Sequence, residues 1–558
     1  MLLTGAEIVV ETLIEQGVTD VFGYPGGAAL NLYEALYQRR DRIRHYLTAH
    51  EQGAAHAADG YARATGKTGV CIATSGPGAT NLVTGIATAF LDSVPMVAIT
   101  ANVGTGLIGK DSFQEVFITG ITNPITKHNY AVRDIGRLAH TIRTAFRIAG
   151  SGRKGPVLVD IPKDITAAVC EFTPEKPVEP EKPAKPDPEL LRRAADLIRA
   201  SRRPVLCFGG GVVSSDSSRE LAALVKKAGI PACRTMMGTG VAGFGDELDL
   251  GMIGMHGAAA ANVAISEADL LIAAGVRFSD RVATKADCFA PRAGILQFDI
   301  DPSENCKNVG VQNFVIGDLR EILAGLIPLV GPRDRSEWFA RLAQWRKKDR
   351  APKEIPGVLR PHDVIGIIGE EAGEDAVLVT DVGQHQVWAA QYWKRAKPRG
   401  FITSGGLGTM GFGYGAAIGA KIGAPESRVI HLTGDGSFHM NMIEACTAVS
   451  NRLQVVTVIM DNGGLGMVRQ WQSLFYNSHY MATEPERKSD YVKLAEGFGA
   501  RGFLGDTPER FRAALRNAFA AAGPSWIVCP IDRREMVLPM IPSDRTVKDM
   551  ILTEEAFS

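Results

Sequence analysis

Short apolar runs that read as strands alternate with helical stretches along the whole chain, and that order is accommodated by an α/β fold with parallel sheets. The strand-like runs are residues 20–24, 70–74, 96–100 and 157–161, then 205–208, 270–274 and 295–299, and finally 377–380, 429–432, 455–460 and 526–529. Two stretches interrupt the alternation: residues 171–187, rich in Pro, Lys and Glu, and the shorter 347–361. Neither has the composition to bury a core. They divide the 558 residues into three expected domains, 1–170, 188–346 and 362–558, each a parallel sheet flanked by helices, joined by linkers 171–187 and 347–361.

Composition excludes several function classes. Lys and Arg (61) balance Asp and Glu (61), so no positive surplus exists to hold a phosphate backbone or an anionic membrane, and neither nucleic acid nor membrane is expected as a partner. The eight cysteines form no C-x-x-C pair and no zinc spacing, which reads as reduced, mostly buried thiols. Residues 1–21 read as an amphipathic helix running into a strand, without a basic leader, and no apolar run of about 18 residues occurs. A cytoplasmic enzyme is expected. Glycine is in excess, 61 of 558 against the roughly 7% that is average, and it clusters at 23–27, 209–211, 405–406 and 434–436, where backbone must come close to something.

The most specific motif lies in the third domain. The strand at 429–432 runs into Gly434-Asp435-Gly436-Ser437, a helix is expected over 438–450, and the strand at 455–460 ends at Asp461-Asn462, with 24 residues between Gly436 and Asp461. Neighbouring strand ends would bring Asp435 and Asn462 together. An Asp, an Asn and a backbone carbonyl, completed by phosphate oxygens, make a set that Mg²⁺ accepts, and the flanking glycines admit a diphosphate to a helix N-terminus. Gly-Asp-Gly alone is most often a turn; followed at this spacing by an Asn at a strand end, it is the diphosphate–metal motif of thiamine-diphosphate enzymes.

Thiamine chemistry also needs an acid at the pyrimidine N1′, a task for a partly buried Glu with a raised pKa. Glu51 is the candidate, where a strand end passes to the small-residue helix expected over 52–64. The bland alternative for a lone Glu there is stabilisation of the helix dipole. A zinc reading of His50, Glu51 and His56 fails because the motif needs His at i and i+4. Gly406-Leu-Gly408-Thr-Met410-Gly411 has the form G-x-G-x-x-G, but no strand and ribose-binding acid frame it as a dinucleotide site.

Over nearly its full length the chain resembles the catalytic large subunits of the acetolactate synthase (acetohydroxyacid synthase) family. Phe22-Gly-Tyr-Pro-Gly-Gly27, His50-Glu-Gln, Asp59-Gly-Tyr-Ala-Arg-Ala-Thr-Gly66, Thr74-Ser-Gly-Pro-Gly-Ala-Thr-Asn81, Phe113-Gln-Glu115 and Val159-Asp-Ile-Pro-Lys-Asp164 carry the resemblance, as do Gly251-Met-Ile-Gly-Met-His-Gly257, Gly275-Val-Arg-Phe278, Gly383-Gln-His-Gln386 and Gly466-Met-Val-Arg-Gln-Trp471. It implies a thiamine-diphosphate-binding fold in the first and third domains around a central FAD-binding domain. The cofactor would be shared between subunits of a homodimer or homotetramer, with a regulatory small subunit as a possible further partner.

Site residues follow from the same resemblance. Thiamine diphosphate would be held by Tyr24, Pro25, Gly26, Glu51, Thr74, Pro77 and Asn81 on one side. On the other stand Val382, Gly383, Gln384, His385, Gly408, Met410, Gly434, Asp435, Gly436, Ser437, Asn462, Gly464 and Met467, with Asp435, Asn462 and the Gly464 carbonyl on Mg²⁺. FAD would meet Arg153, Gly209, Gly210, Gly211, Thr235, His256, Gly257, Gly275, Arg277, Asp299, Ile300 and Asp318, without a net redox role. Glu51, Gln114, Gly27 and Lys163 are the catalytic candidates, and Arg281, Trp471 and Met467 the substrate-binding ones. An Arg fork at 281 suits an acceptor carboxylate, and Trp471 would favour the larger acceptor.

The implied reaction decarboxylates pyruvate and transfers the two-carbon unit to a second 2-ketoacid, giving 2-acetolactate from pyruvate or 2-aceto-2-hydroxybutyrate from 2-ketobutyrate, in branched-chain amino-acid biosynthesis. Another thiamine carboligase, decarboxylase or oxidase, such as a sulfoacetaldehyde acetyltransferase or pyruvate oxidase, is the alternative, and a non-catalytic cofactor-binding paralogue is a third reading. Ser279, 101–106 and Val116-Phe117 depart from the residues usual in the family near the entrance, which leaves substrate preference and inhibitor sensitivity open.

Overall fold

A computed structural model describes residues 1–241, 243–349, 355–485 and 487–553. Residues 350–354 of the second expected linker, and 554–558 at the end of the third expected domain, lie outside the described residues.

Strand β1 (Leu2–Thr4) opens the chain. The first sheet follows: β2 (Asp20–Gly23), β3 (Arg44–Leu47), β4 (Gly69–Ala73), β5 (Met96–Asn102), β6 (His128–Ala131) and β7 (Pro156–Pro162). All its pairings are parallel, in the order β3-β2-β4-β5-β7-β6. β8 (Val169–Glu171) returns to pair antiparallel with β1. The middle sheet is also parallel: β9 (Pro204–Phe208), β10 (Ala232–Arg234), β11 (Asp249–Met252), β12 (Leu270–Ala274), β13 (Gly294–Asp299) and β14 (Asn313–Ile316), in the order β11-β10-β9-β12-β13-β14. That is the doubly wound dinucleotide-binding order, with its switch point between β9 and β12. The third sheet, β15 (Val377–Thr380), β16 (Phe401–Ile402), β17 (Val429–Gly434), β18 (Val455–Asp461), β19 (Arg501–Leu504) and β20 (Ser525–Pro530), runs β16-β15-β17-β18-β20-β19, the same winding as the first.

Central strands such as β5 and β7 are buried along their whole length. Their continuous apolar runs are what a sheet covered on both faces requires. The expected strands therefore appear with ends shifted by at most two residues. Strands β6, β10, β11, β14, β16 and β19 carry no comparable run; each is short, and all but β10 and β11 are polar, half-exposed or only two residues long. The helix expected over 438–450 is broken into Asp435–Asn441, a 3₁₀ turn Met442–Glu444, and Ala445–Ser450. Asn441 leaves helical geometry as its amide donates to the Gly411 carbonyl (3.0 Å).

The first and third sheets are joined through two helices, Glu51–Thr65 and Phe412–Gly423, whose small residues allow close approach. A side chain at Gly60 would strike the Ala416 carbonyl, and one at Gly419 the Ala57 carbonyl. One core therefore spans both sheets, with Ala54, Ala57, Phe412 and Ala416 at the crossing. Residues 172–187 contain no strand and one helix start is reached only at Pro188–Ala200; Phe172 is nevertheless buried, packed with Val178 on the first domain.

Candidate active site

In the third sheet β15, β17 and β18 lie side by side, and their carboxyl ends release Val382-Gly383, Gly434-Asp435 and Asn462 toward one another. A cavity of about 70 Å³ forms there, lined by those residues together with Gln384, His385, Met410, Gly436, Ser437, Gly464 and Met467. Burial pushes the Asp435 carboxyl up to about 7, and the nearby Asp461 adds to the effect. A carboxylate so placed calls for a cation. Among the described residues no three His, Cys, Asp or Glu side chains gather round a point, so the cation would take Asp435, the Asn462 amide oxygen and a carbonyl, a hard-oxygen set. Asn462 is braced for this: its Oδ1 accepts from the Gly464 N–H (3.1 Å) and its Nδ2 donates to Gln384 Oε1 (3.3 Å). The buried His385 ring is held neutral, its pKa lowered to about 4 by burial, and its Nε2 has no partner among the described residues. An unpartnered buried ring nitrogen facing glycine-rich backbone fits a diphosphate. Ser437 Oγ accepts from the Gly411 N–H (2.9 Å), which ties the Met410 turn to the same site.

At the switch point of the middle sheet, Gly209–Gly211 meets Gly275: a Cβ on Gly211 would lie 2.6 Å from the Gly275 Cα. From there a cavity of about 1730 Å³ extends past Gly210, Thr235, His256, Arg277, Asp299, Ile300 and Asp318, and Arg153 closes it from the first domain. Gly209 and Gly257 shape the turns behind it without lining it. Burial raises Asp299 to about 6 and lowers His256 to about 4, and His256 Nδ1 is buried without a partner. Arg277 makes no ion pair among the described residues, whereas Arg153 pairs with Glu304 (2.8 Å) and Asp301 (3.3 Å). Asp318 caps the helix Leu319–Leu326 through the Arg320 N–H. An unpaired guanidinium, an orphaned ring nitrogen and a strand-end acid around so large a space fit a phosphorylated, hydroxyl-bearing ligand such as FAD.

The same large cavity reaches Val382, Gly408, Met410, Met467, Trp471 and Arg281. Trp471 stands edge-on to Phe475, ring centres 5.4 Å apart, giving that end an apolar wall. Arg281 has 60% of its side chain exposed, in an open ion pair with Asp280 at 3.6 Å, so a further carboxylate can reach its guanidinium.

The first-domain candidates gather separately. Glu51 opens its helix behind the His50 N-cap, is buried, and accepts from Asn81 Nδ2 (2.9 Å). Gly26 presses on Thr74, whose buried hydroxyl has no partner, and Gly76 presses on Gln114. Gln114 adopts φ +60° in a loop stapled by the Glu115 carboxylate to the Ser112 N–H (3.0 Å). Tyr24, Pro25, Gly27, Pro77 and Lys163 are exposed around this group. None of these residues lines either cavity.

Known proteins match the chain in three successive segments. Residues 3–121, 191–326 and 381–529 match the N-terminal TPP binding domain, the central domain and the C-terminal TPP binding domain of thiamine pyrophosphate enzymes. The chain is 48% identical over 516 residues to the acetolactate synthase of Mycobacterium bovis, covering 90% of this chain and 83% of that protein. It is 44% identical over 562 residues to the probable acetolactate synthase large subunit of Methanocaldococcus jannaschii, covering 97% and 94%, and 44% identical over 565 residues to the acetolactate synthase large subunit of Parasynechococcus marenigrum, covering 98% and 91%. The chain belongs to the acetolactate synthase large-subunit family.

Other residues of this family member hold the site and escaped the sequence reading. Asp92 accepts from the Gly405 (3.0 Å) and Gly406 (2.7 Å) N–H groups, and Arg63 binds Asp92 (2.8 Å) and Asp59 together, so the first domain fixes the loop before Met410. The i,i+4 spacing of Asp59 and Arg63 was the available signal. Asp381, buried at the end of β15, accepts from His431 Nε2 (2.9 Å), Thr433 Oγ1 (2.8 Å) and the Gly413 N–H (2.7 Å), and these bonds hold its carboxyl down at about 2 against its burial. No local pattern announces that cluster, because its members lie on separate elements.

Proposed function

We propose that the chain is the catalytic subunit of an acetolactate synthase, joining two molecules of pyruvate to 2-acetolactate, or pyruvate and 2-ketobutyrate to 2-aceto-2-hydroxybutyrate, in branched-chain amino-acid biosynthesis in the cytoplasm. The observation that carries the reading is the continuity of the third-sheet strand ends, with Asp435 and His385, into a cavity end walled by Trp471 and faced by Arg281. Thiamine diphosphate, when bound, supplies a carbanion at C2 and takes up the electrons released as CO₂ departs. Asp435, Asn462 and the Gly464 carbonyl hold Mg²⁺; His385 and the backbone around Gly434–Ser437 hold the diphosphate. Met410 and Val382 press on the cofactor. Glu51, kept in place by Asn81, holds the proton at the pyrimidine N1′. Arg281 orients the acceptor carboxylate, Trp471 selects its alkyl group, and Gln114, Gly27 and Lys163 stand at the donor side and entrance.

In this reading FAD occupies the middle-domain cavity and does not change oxidation state over the cycle. Two copies of the chain are needed, because Glu51 and its neighbours line neither cavity of their own chain; a tetramer would be a pair of such dimers, and the "large subunit" of the relatives' names supports a small regulatory partner. The domain limits are 1–170, 188–346 and 362–558. Purified protein given pyruvate, thiamine diphosphate, Mg²⁺ and FAD should accumulate 2-acetolactate. Acetaldehyde, acetyl phosphate or peroxide in its place would overturn the assignment in favour of a decarboxylase, an acetyltransferase or an oxidase.

A further inference from the structure

Glu444 is a carboxylate wholly removed from solvent, in the 3₁₀ turn that interrupts the helix following Asp435. It belongs to the third domain, yet two of its three partners are in the first. Its Oε1 accepts from the His50 N–H (3.1 Å) and its Oε2 from the Ala49 N–H (3.2 Å), while Thr447 Oγ1 donates to Oε2 (2.7 Å). Ala49 and His50 are the last two of the three residues that lead from β3 into the helix beginning at Glu51. The next turn leaves room for this carboxylate only because residue 53 is glycine: a Cβ there would collide with Glu444 Oε1.

Burial raises the pKa of this group, so the fold keeps a group there whose ionised form is unfavourable. What offsets the cost is local to the backbone before Glu51. A helix begins with unsatisfied N–H groups. At this one the Gln52 N–H goes to His50 Nδ1 (3.1 Å), and the Ala49 and His50 N–H groups, just before the first helical residue, go to Glu444. The peptide carrying Glu51 is thus gripped from both sides, and the Glu51 side chain is fixed in turn by Asn81.

We propose that Glu444 is a positioning residue for Glu51: by binding the Ala49 and His50 N–H groups across the domain boundary it sets where the Glu51 carboxyl meets the cofactor pyrimidine. The inference rests on the reading of Glu51 as the acid at N1′. Replacement by Gln removes one acceptor and turns an amide N–H toward a backbone N–H. Since a displacement of about 1 Å can lower a rate about 100-fold, Glu444→Gln should slow a step that depends on Glu51 without touching substrate.

The test is exchange of the thiamine C2 proton for deuterium in the holoenzyme, quenched in acid and counted per bound cofactor, with kcat and KM for pyruvate measured alongside. Glu444→Gln should slow exchange roughly 10- to 100-fold and lower kcat with KM for pyruvate unchanged. The double variant with Glu51→Gln should be no slower than Glu51→Gln alone. Wild-type exchange per bound cofactor in Glu444→Gln, with only thermal stability or cofactor occupancy reduced, would mean a structural role and overturn the proposal; so would losses that multiply in the double variant. Wild-type exchange in Glu51→Gln would instead remove the underlying assignment of Glu51, and this inference with it. If Glu444→Gln does not fold, Thr447→Val decides: loss of that one hydroxyl should slow exchange about fivefold, of the order of one hydrogen bond, and no change would overturn the proposal.

Discussion

Each side chain at the candidate centre has a role that a single substitution isolates. Asp435 lies beside Asp461, and its replacement by Asn keeps the volume while removing the charge that a divalent ion would neutralise. The Mg²⁺ concentration for half-maximal binding of thiamine diphosphate should rise about 100-fold or more, read by calorimetry; an unchanged titration would take Asp435 out of the metal site. Trp471 offers a flat apolar wall at the acceptor end of the cavity. Trp471→Leu should reduce the ratio of 2-aceto-2-hydroxybutyrate to 2-acetolactate about tenfold when the two acceptors compete, the discrimination one methylene allows. His56, wholly buried edge-on to Phe412 at 5.2 Å, has its pKa lowered by burial to about 4. Unfolded, it would titrate near 6.5. Between these values the unfolded chain binds a proton that the folded one does not, so its contribution to stability is complete above pH 6.5 and is lost as pH falls toward 4. Its ring resonances should therefore stay constant from pH 8 to 5, and a midpoint near 6.5 would contradict the burial.

At the scale of elements, the crossing of the Glu51–Thr65 and Phe412–Gly423 helices is the contact most sensitive to a single methyl group. Gly419→Ala would drive a Cβ into the Ala57 carbonyl, and overpacking of this kind costs about 1–3 kcal/mol. Thermal unfolding should shift down while the isolated strands' content, read by far-ultraviolet dichroism below the transition, stays unchanged. Elements buried on both faces were legible beforehand: β12 and β15 appear at their expected limits, because a run of Leu, Ile, Val and Ala between turn residues has few other uses. β16 and β19 were not, since the exposed face of an edge strand has no apolar period to read. The break at Met442–Glu444 was equally hidden. Its cause is a bond to Gly411 and a carboxylate reaching Ala49, contacts 30 and 395 residues away in the chain. The candidates Asp435 and Asn462 stand out in the sequence because each directly follows an apolar strand within one spaced motif, and Glu51 because it opens a helix of small residues. Asp92 and Asp381 do not, because their partners are assembled by the fold.

The candidate residues of the whole molecule fall in two groups, because Glu51 and its neighbours line neither of the cavities lined by the third- and middle-domain candidates. Large apolar side chains stand exposed near both: Phe113 (88%) and Phe117 (77%) in the first domain, and Met481 (80%) in the third. In the dimer proposed above, one chain's Glu51 faces the other's Asp435 across a twofold axis. Glu51→Gln and Asp435→Ala should each be inactive alone, yet after mixing and re-equilibration about a quarter of wild-type activity should return, since half the dimers are mixed and each holds one intact site. No recovery in a mixture shown to exchange subunits would place each site within a single chain.

The first and third sheets wind their six strands in the same order, and this has a consequence for ancestry. Strand for strand, β3 corresponds to β16, and the segment after each leads into a helix: Glu51–Thr65 in one, Phe412–Gly423 in the other. Those two helices are counterparts, and they are the pair that crosses in the shared core. A unit packed against its own counterpart is the arrangement of an isologous dimer, here carried on one polypeptide, as duplication and fusion of a once-separate subunit would leave it. The two units differ at equivalent places: the segment after β3 ends at the carboxyl of Glu51, and the segment after β16 carries the thioether of Met410.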